Sequence, residues 1–338
     1  MDLYHIPGDT GGMWRLDKFV EYQHEVPSIH YRVLGTYIKH YIHSKDEAVM
    51  MCWYMSVTYN EVTCALLHEL IRWRKLTPDS VTQYCKQFWS KYKDVLDFGS
   101  SRKYAKNMDW FPELIEQFIR VTKKHPYKWL MSHNHNSSEQ TYRNIYKSIK
   151  SLKFTGRFAT DLFMESIMYL KKYFELNISE SISLDWDNCA NLTSGLLNIF
   201  YQDEQANEYD RYKKLPQGIT EEYLTEKLSI VRNRIIKTYP EQNVDVNMFV
   251  GKICSFRNLF KSTRYGGFHH DRELGVIHQY EELLPEYQYV WNRFYKIRKH
   301  LFPQRFLGEF GGWSGIRKER KKLWLTRGLT GVEGEESQ

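Results

Sequence analysis

The chain has 338 residues, 42% of them hydrophobic and 16% aromatic, with a formal net charge of +7. That length suits one large domain or two small ones, and the apolar share is enough for a core. No run of about 18 apolar residues occurs, which excludes a membrane-spanning helix, and the opening "MDLYHIPGDTGGMWRLDKF" lacks the basic-then-apolar order of a signal peptide.

The predicted elements are helices. Residues 44–76 place apolar side chains at three- and four-residue spacing, and Ser44 with Glu47 forms a capping box at their start. Residues 77–96 read as a second helix, capped by Thr77 with Pro78 at its first position. Further helical patterns cover 108–124, 137–152, 157–174, 220–239, 244–261, 271–284 and 286–302. Period-2 strands are not expected, the short "SISLDW" (181–186) being the nearest approach. Residues 201–218 read as a polar loop and 328–338 as a frayed tail. The expected class is all-α, with an N-terminal lobe over 1–130, a basic lobe over 131–327 and a break near 125–137.

Cys52, Cys64, Cys85, Cys189 and Cys254 include no C-x2-C pair, so a zinc ribbon is not expected. So sparse and odd a set fits a reducing cytoplasm. Between Lys252 and Lys322 lie 15 Lys/Arg and 7 Asp/Glu, a local surplus of +8 that exceeds that of the whole chain. Cations interleaved with aromatic rings suit nucleic acid, whose phosphates attract charge and whose bases stack.

Four stretches invite chemistry. "MSHNHNSSE" (131–139) has the letters of a metal-dependent nuclease, but no strands precede it, so His133, Asn134 and Asn136 read as loop and capping residues. In "SLKFTGRFATDLFMESI" (151–167), Arg157, Asp161 and Glu165 fall at i, i+4 and i+8 on one helical face, behind a helix start able to hold a phosphate. In "LDWDN" (184–188), Asp185 and Asp187 flank Trp186 beside Asn188; the pair would hold an amine or magnesium, or Asp187 would simply cap a helix. In "CSFRNLFKSTRYGGFHHDREL" (254–274), Arg257, Lys261 and Arg264 precede a Gly-Gly turn, and Tyr265, His269, His270, Asp271 and Arg272 surround it. Neighbouring histidines point to different helical faces, so an anion suits this stretch better than a metal. Asp271 as a plain helix cap is the alternative.

"LKFTGRFATDLF" resembles the helix-hairpin-helix of base-excision DNA glycosylases. Leu152 and Gly156 match its anchors, Phe154 stands where its first glycine is expected, and Leu176 and Asn177 occupy the region of its catalytic aspartate. By layout, and by 48–67, 156–167, 184–196 and 254–274, the chain resembles the phage alpha-glutamyl/putrescinyl thymine pyrophosphorylases, or amino acid:DNA transferases.

That resemblance implies a glycosylase-like helical fold and a reaction on a base flipped out of double-stranded DNA. The substrate would be a 5-pyrophosphomethyl-uracil, whose pyrophosphate is displaced by an amino acid or a polyamine. It implies that Arg257, Lys261, Arg264 and Arg272 bind pyrophosphate or backbone, with Arg157, Asn188 and Asp271 as further substrate contacts. Asp161, Glu165, Asp185, Asp187, His269 and His270 would hold or deprotonate the amine, and Trp186 and Tyr265 would stack on the base. No cofactor is required, magnesium being the one ion the carboxylates would take. A glycosylase-like repair enzyme and a non-catalytic helical DNA-binding protein are the alternatives. The sequence does not distinguish the amine or the oligomeric state.

Overall fold

The computed structural model describes residues 13–25, 29–76, 80–99, 102–179, 190–200, 206, 209, 214–240, 252, 253, 256 and 268–302. Among these residues every regular element is helical, as expected from the sequence. The chain divides into two compact units. One comprises Met1–Ser28, Ile182–Asp271 and Gly308–Gln338, and the other Ile29–Ser181 and Arg272–Leu307. The break expected near 125–137 instead lies inside the second unit. Pro126 opens a short helix there, and Leu130 buries its face in the core.

The second unit is built around α3 (Lys45–Thr58). Every residue of α3 from Ala48 to Thr58 is buried, so this helix is apolar on all sides and packed on all sides. Against it lie α4 (Glu61–Leu70), α7 (Phe111–Val121), α8 (Pro126–Ser132) and α10 (Arg157–Tyr169). Trp53 anchors the centre: it stacks on Phe118 at 4.5 Å and donates its Nε1–H to the Leu114 carbonyl at 3.0 Å. Burying a ring of this size is worth about 1.5–3 kcal/mol, provided its N–H finds such a partner. Ser56 donates to the Ala159 carbonyl at 2.6 Å and so ties α3 to α10.

Around this centre lie α2 (His30–Tyr41), α5 (Val81–Tyr92), α6 (Lys103–Asn107), α9 (Ser138–Lys150) and α11 (Lys171–Phe174). The α2–α10 contact is close because α2 has a glycine there: a Cβ on Gly35 would lie 2.3 Å from the Tyr169 ring. The first unit contains α1 (Met13–Glu25), α12 (Ala190–Phe200) and α13 (Glu221–Thr238), which pack pairwise. Phe19 and Tyr22 of α1 meet Phe256, and Arg234 of α13 reaches Asp17 at 2.8 Å. The division falls within α14 (Phe268–Leu283), and α15 (Gln288–Leu301) completes the second unit.

The cap at Ser44 forms as predicted, and Ser137 and Thr220 cap α9 and α13 in the same way, each side chain accepting from the N–H three residues on. The helix expected over 44–76 is two helices. Tyr59 adopts a left-handed φ of 51° and Asn60 caps α4, accepting from Val62 and Thr63. Similarly, the pattern over 157–174 divides at Leu170 into α10 and α11. In the stretch expected to be a loop, Ala206 and Tyr209 are helical and buried. Thr77, Pro78, residues 181–186 and the 328–338 tail lie outside the described residues.

Candidate functional site

The helices α9 and α10 pack against each other and are joined by a tight turn over residues 151–156, here called the hairpin. Thr155 N–H donates to the Leu152 carbonyl, and Gln117 of α7 holds Lys153 through both its N–H and its carbonyl at 2.8 Å. Phe154, where a glycine would be at ease, has a φ of 61°. A left-handed conformation costs a bulky L-residue roughly 1–2 kcal/mol. Its ring stacks on Trp110 at 4.3 Å, which offsets part of that cost. A Cβ on Gly156 would meet nothing within 4 Å, so the N-terminus of α10 opens on solvent. From Arg143 to Thr160 the chain carries Arg143, Lys147, Lys150, Lys153 and Arg157 and no carboxylate.

The helix α10 is buried on most of its surface. Ala159, Thr160, Leu162–Met164 and Ser166–Met168 are all enclosed, whereas Arg157, Asp161, Glu165 and Tyr169 form a half-open strip. The spacing of 157, 161 and 165 therefore does mark one face. Arg157 Nε lies 3.2 Å from Asp161. Phe158 projects beside this strip, and its ring meets Tyr59 edge-on at 5.4 Å. Tyr59 is held by a close backbone approach: a Cβ on Gly99 would fall 2.4 Å from its carbonyl oxygen.

Beyond Tyr59 lies a buried ionisable cluster. The His30 ring sits 4.5 Å from the Tyr59 ring, and its Nδ1–H donates to Glu61 Oε2 at 2.7 Å. Glu61 is the first residue of α4 and is buried, where the helix dipole favours its negative charge. Glu273 of α14 is its neighbour, and Arg298 of α15 donates to Glu273 within the core. Burial pushes Glu273 up to about 8, against the pull of Arg298 and with the help of the nearby Glu61 charge. Burial also acts to raise Glu61, but His30 and Arg272 outweigh it and hold it below the usual carboxylate range. The two buried carboxylates thus share protonation, Glu273 being the more readily protonated and Glu61 the more readily charged. Arg298 pairs with Glu273, and His30 and Arg272 face Glu61, so neither carboxyl is buried without a cationic or hydrogen-bonding partner.

A second layer fixes these groups. Arg272 donates to Asp97 and to the Phe98 carbonyl, each at 2.8 Å. Asn60 Nδ2 also reaches Asp97 at 2.8 Å. Tyr280 accepts from the Asp97 N–H and meets the Thr63 hydroxyl, both at 2.7 Å. His30, at the start of α2, is the less deeply buried end of this chain of polar groups, its side chain 14% exposed. With a carboxylate as its partner, Nδ1 carries the hydrogen, so in the neutral ring Nε2 is the proton-accepting atom. A histidine oriented by a carboxylate in this way is suited to general-base work.

The structure brings some predicted residues together and relocates others. Arg157, Asp161 and Glu165 share the open strip of α10. Arg272 is in the second layer, engaged by Asp97. The last helices begin where α14 starts at Phe268, three residues ahead of the expected 271. Asp271 therefore lies within the first turn and is not its cap. His270 and Asp271 are buried and His269 is half-exposed, in keeping with different faces for adjacent histidines. Asp185, Trp186, Asp187, Asn188, Arg257, Lys261, Arg264 and Tyr265 lie outside the described residues. His133, Asn134 and Asn136 are a helix terminus and loop, with Asn134 and Asn136 bonded to Asn177.

No group of three or more His, Cys, Asp or Glu side chains suited to a metal occurs among the described residues. A separate groove of about 680 Å³ lies between α5 and α7, but its carboxylates are engaged: Asp109 by Lys93, Glu113 by Lys153 and Glu116 by Arg120. No described helix is long and apolar enough to cross a membrane. No family model matches the chain, and neither does any curated protein or solved structure.

Proposed function

We propose that the chain is a DNA base-modifying transferase, which replaces the pyrophosphate of a 5-pyrophosphomethyl-uracil in DNA with an amine. The observation that carries this reading is the α9–α10 hairpin, with its acid-free run of cations and the open helix start beside it. Backbone phosphates are bound by the Arg143–Arg157 segment, and the flipped base enters toward Phe158 and Tyr59. The ammonium end of the amine is held by Asp161 and Glu165. His30, oriented by Glu61, takes a proton from the attacking nitrogen. The new C–N bond forms at the exocyclic carbon as the C–O bond breaks, and pyrophosphate leaves with the electron pair. Arg157 offsets the charge that develops on the leaving oxygens.

The test is incubation of the purified protein with pyrophosphorylated hydroxymethyl-deoxyuridine DNA and single amines, followed by mass spectrometry of the nucleosides. An amine adduct with release of pyrophosphate is expected. Neither adduct nor pyrophosphate with any amino acid or polyamine would overturn the reading. Abasic sites in damaged-base DNA would assign the protein to repair instead.

A further inference from the structure

The turn of the hairpin carries an aromatic arrangement that the reaction above does not use. Tyr104 meets Trp110 edge-on at 5.4 Å, and Trp110 stacks on Phe154 at 4.3 Å with an interplanar angle of 7°. In this ladder and beside it in the chain, Tyr104 and Met108 are 44% and 61% exposed. Lys153 lies over the Phe154 ring at 4.8 Å, Lys103 and Lys106 belong to the same short helix as Tyr104, and Lys147 and Lys150 line the arm leading to the turn. Large apolar side chains exposed together and rimmed by cations mark a contact surface. Two residues here are also in unfavourable backbone conformations: Phe154 with a φ of 61° and Asp109 with a φ of 57°. The chain presents a phenylalanine ring at a position whose backbone favours glycine.

We propose that this tip is a stacking platform for the bases of an unpaired nucleic-acid strand. The inference rests on the reading above only in taking nucleic acid as the partner. Aromatic faces stack any base, while Lys103, Lys150 and Lys153 track the phosphates. Charge complementarity favours nucleic acid over a second copy of this chain, which would bring the same lysines against themselves. Lys153, whose side chain is 64% exposed, exchanges the ring face and the Glu113 carboxylate for a phosphate when a base takes its place. Such a platform would hold the strand left unpaired when DNA is opened at the target base.

The experiment measures the affinity of the full chain for a labelled oligo-dT and for a duplex of the same length, at fixed salt, by fluorescence anisotropy. The single strand is expected to bind more tightly than the duplex. Phe154→Gly is expected to weaken single-strand binding about tenfold, with thermal stability undiminished because glycine accepts the positive φ. Met108→Glu, a change at an exposed position, is expected to weaken single-strand binding as well. If both variants bind the single strand as the wild type does, the inference is overturned. It is also overturned if the wild type sediments as a dimer that Met108→Glu dissociates and shows no single-strand affinity. Amine adduct formation that persists in Met108→Glu separates this failure from failure of the transferase reading.

Discussion

Glu273 is a buried carboxyl whose environment moves its titration into the neutral range, and it makes the first prediction at the residue scale. Burial raises it from the ordinary 4.5 to about 8. Between those values the folded chain holds a proton that the unfolded chain has lost. Stability must therefore fall as pH rises through that window. Glu61 has the opposite sign: its contribution is present above its unfolded value and is lost as pH falls through its lowered folded value. The unfolding free energy from urea titrations, and with it the urea midpoint, is expected to be higher near pH 5.5 than near pH 8, the free energy by an amount on the order of a few kcal/mol at most. Glu273→Gln, whose amide mimics the protonated acid, should flatten that slope. A midpoint that climbs steadily from about pH 5.5 to pH 8 in the wild type would contradict the shared proton.

None of this cluster could be read from the sequence. His30 and Glu61 are 31 positions apart, and Arg298 and Glu273 are 25 apart on different helices. Neither spacing has a local periodicity to mark it. Arg157 and Asp161 are four apart on one helix, which is why that pair was legible and is found at 3.2 Å.

At the scale of elements, the caps and apolar spacing located most helices, because both signals are local. Ser44, Ser137 and Thr220 needed only their own neighbours to act as caps. The break at Tyr59 was hidden because a tyrosine in a left-handed conformation has no sequence signature. It is enforced from outside, by Asn60 on the amides of α4 and by Gly99 against its carbonyl. Asn60→Ala removes two cap bonds and the link to Asp97, and should cost about 1–2 kcal/mol in denaturant titrations. Because that cap positions Glu61, the pH slope of the variant should change with it. A loss of stability with an unaltered slope would show that α4 keeps Glu61 in place without its cap.

At the scale of the whole molecule, the charge balance pointed toward nucleic acid, but the larger basic surplus over 252–322 lies mostly outside the described residues. Within them, the hairpin carries the acid-free run of cations, and α10 connects it to the His30 cluster through Phe158 and Tyr59. Two lobes were expected as consecutive stretches, but each unit is assembled from discontinuous segments, and returning segments are joined by packing rather than by any local motif.

The most direct measurement is amine-dependent release of pyrophosphate from DNA carrying 5-pyrophosphomethyl-uracil, followed for the wild type and His30→Ala side by side. Release by the wild type that requires both DNA and amine is predicted, with a loss of about 10²-fold or more in His30→Ala, the scale of a missing general base. No release by the wild type, or equal rates in the two proteins, would contradict the account.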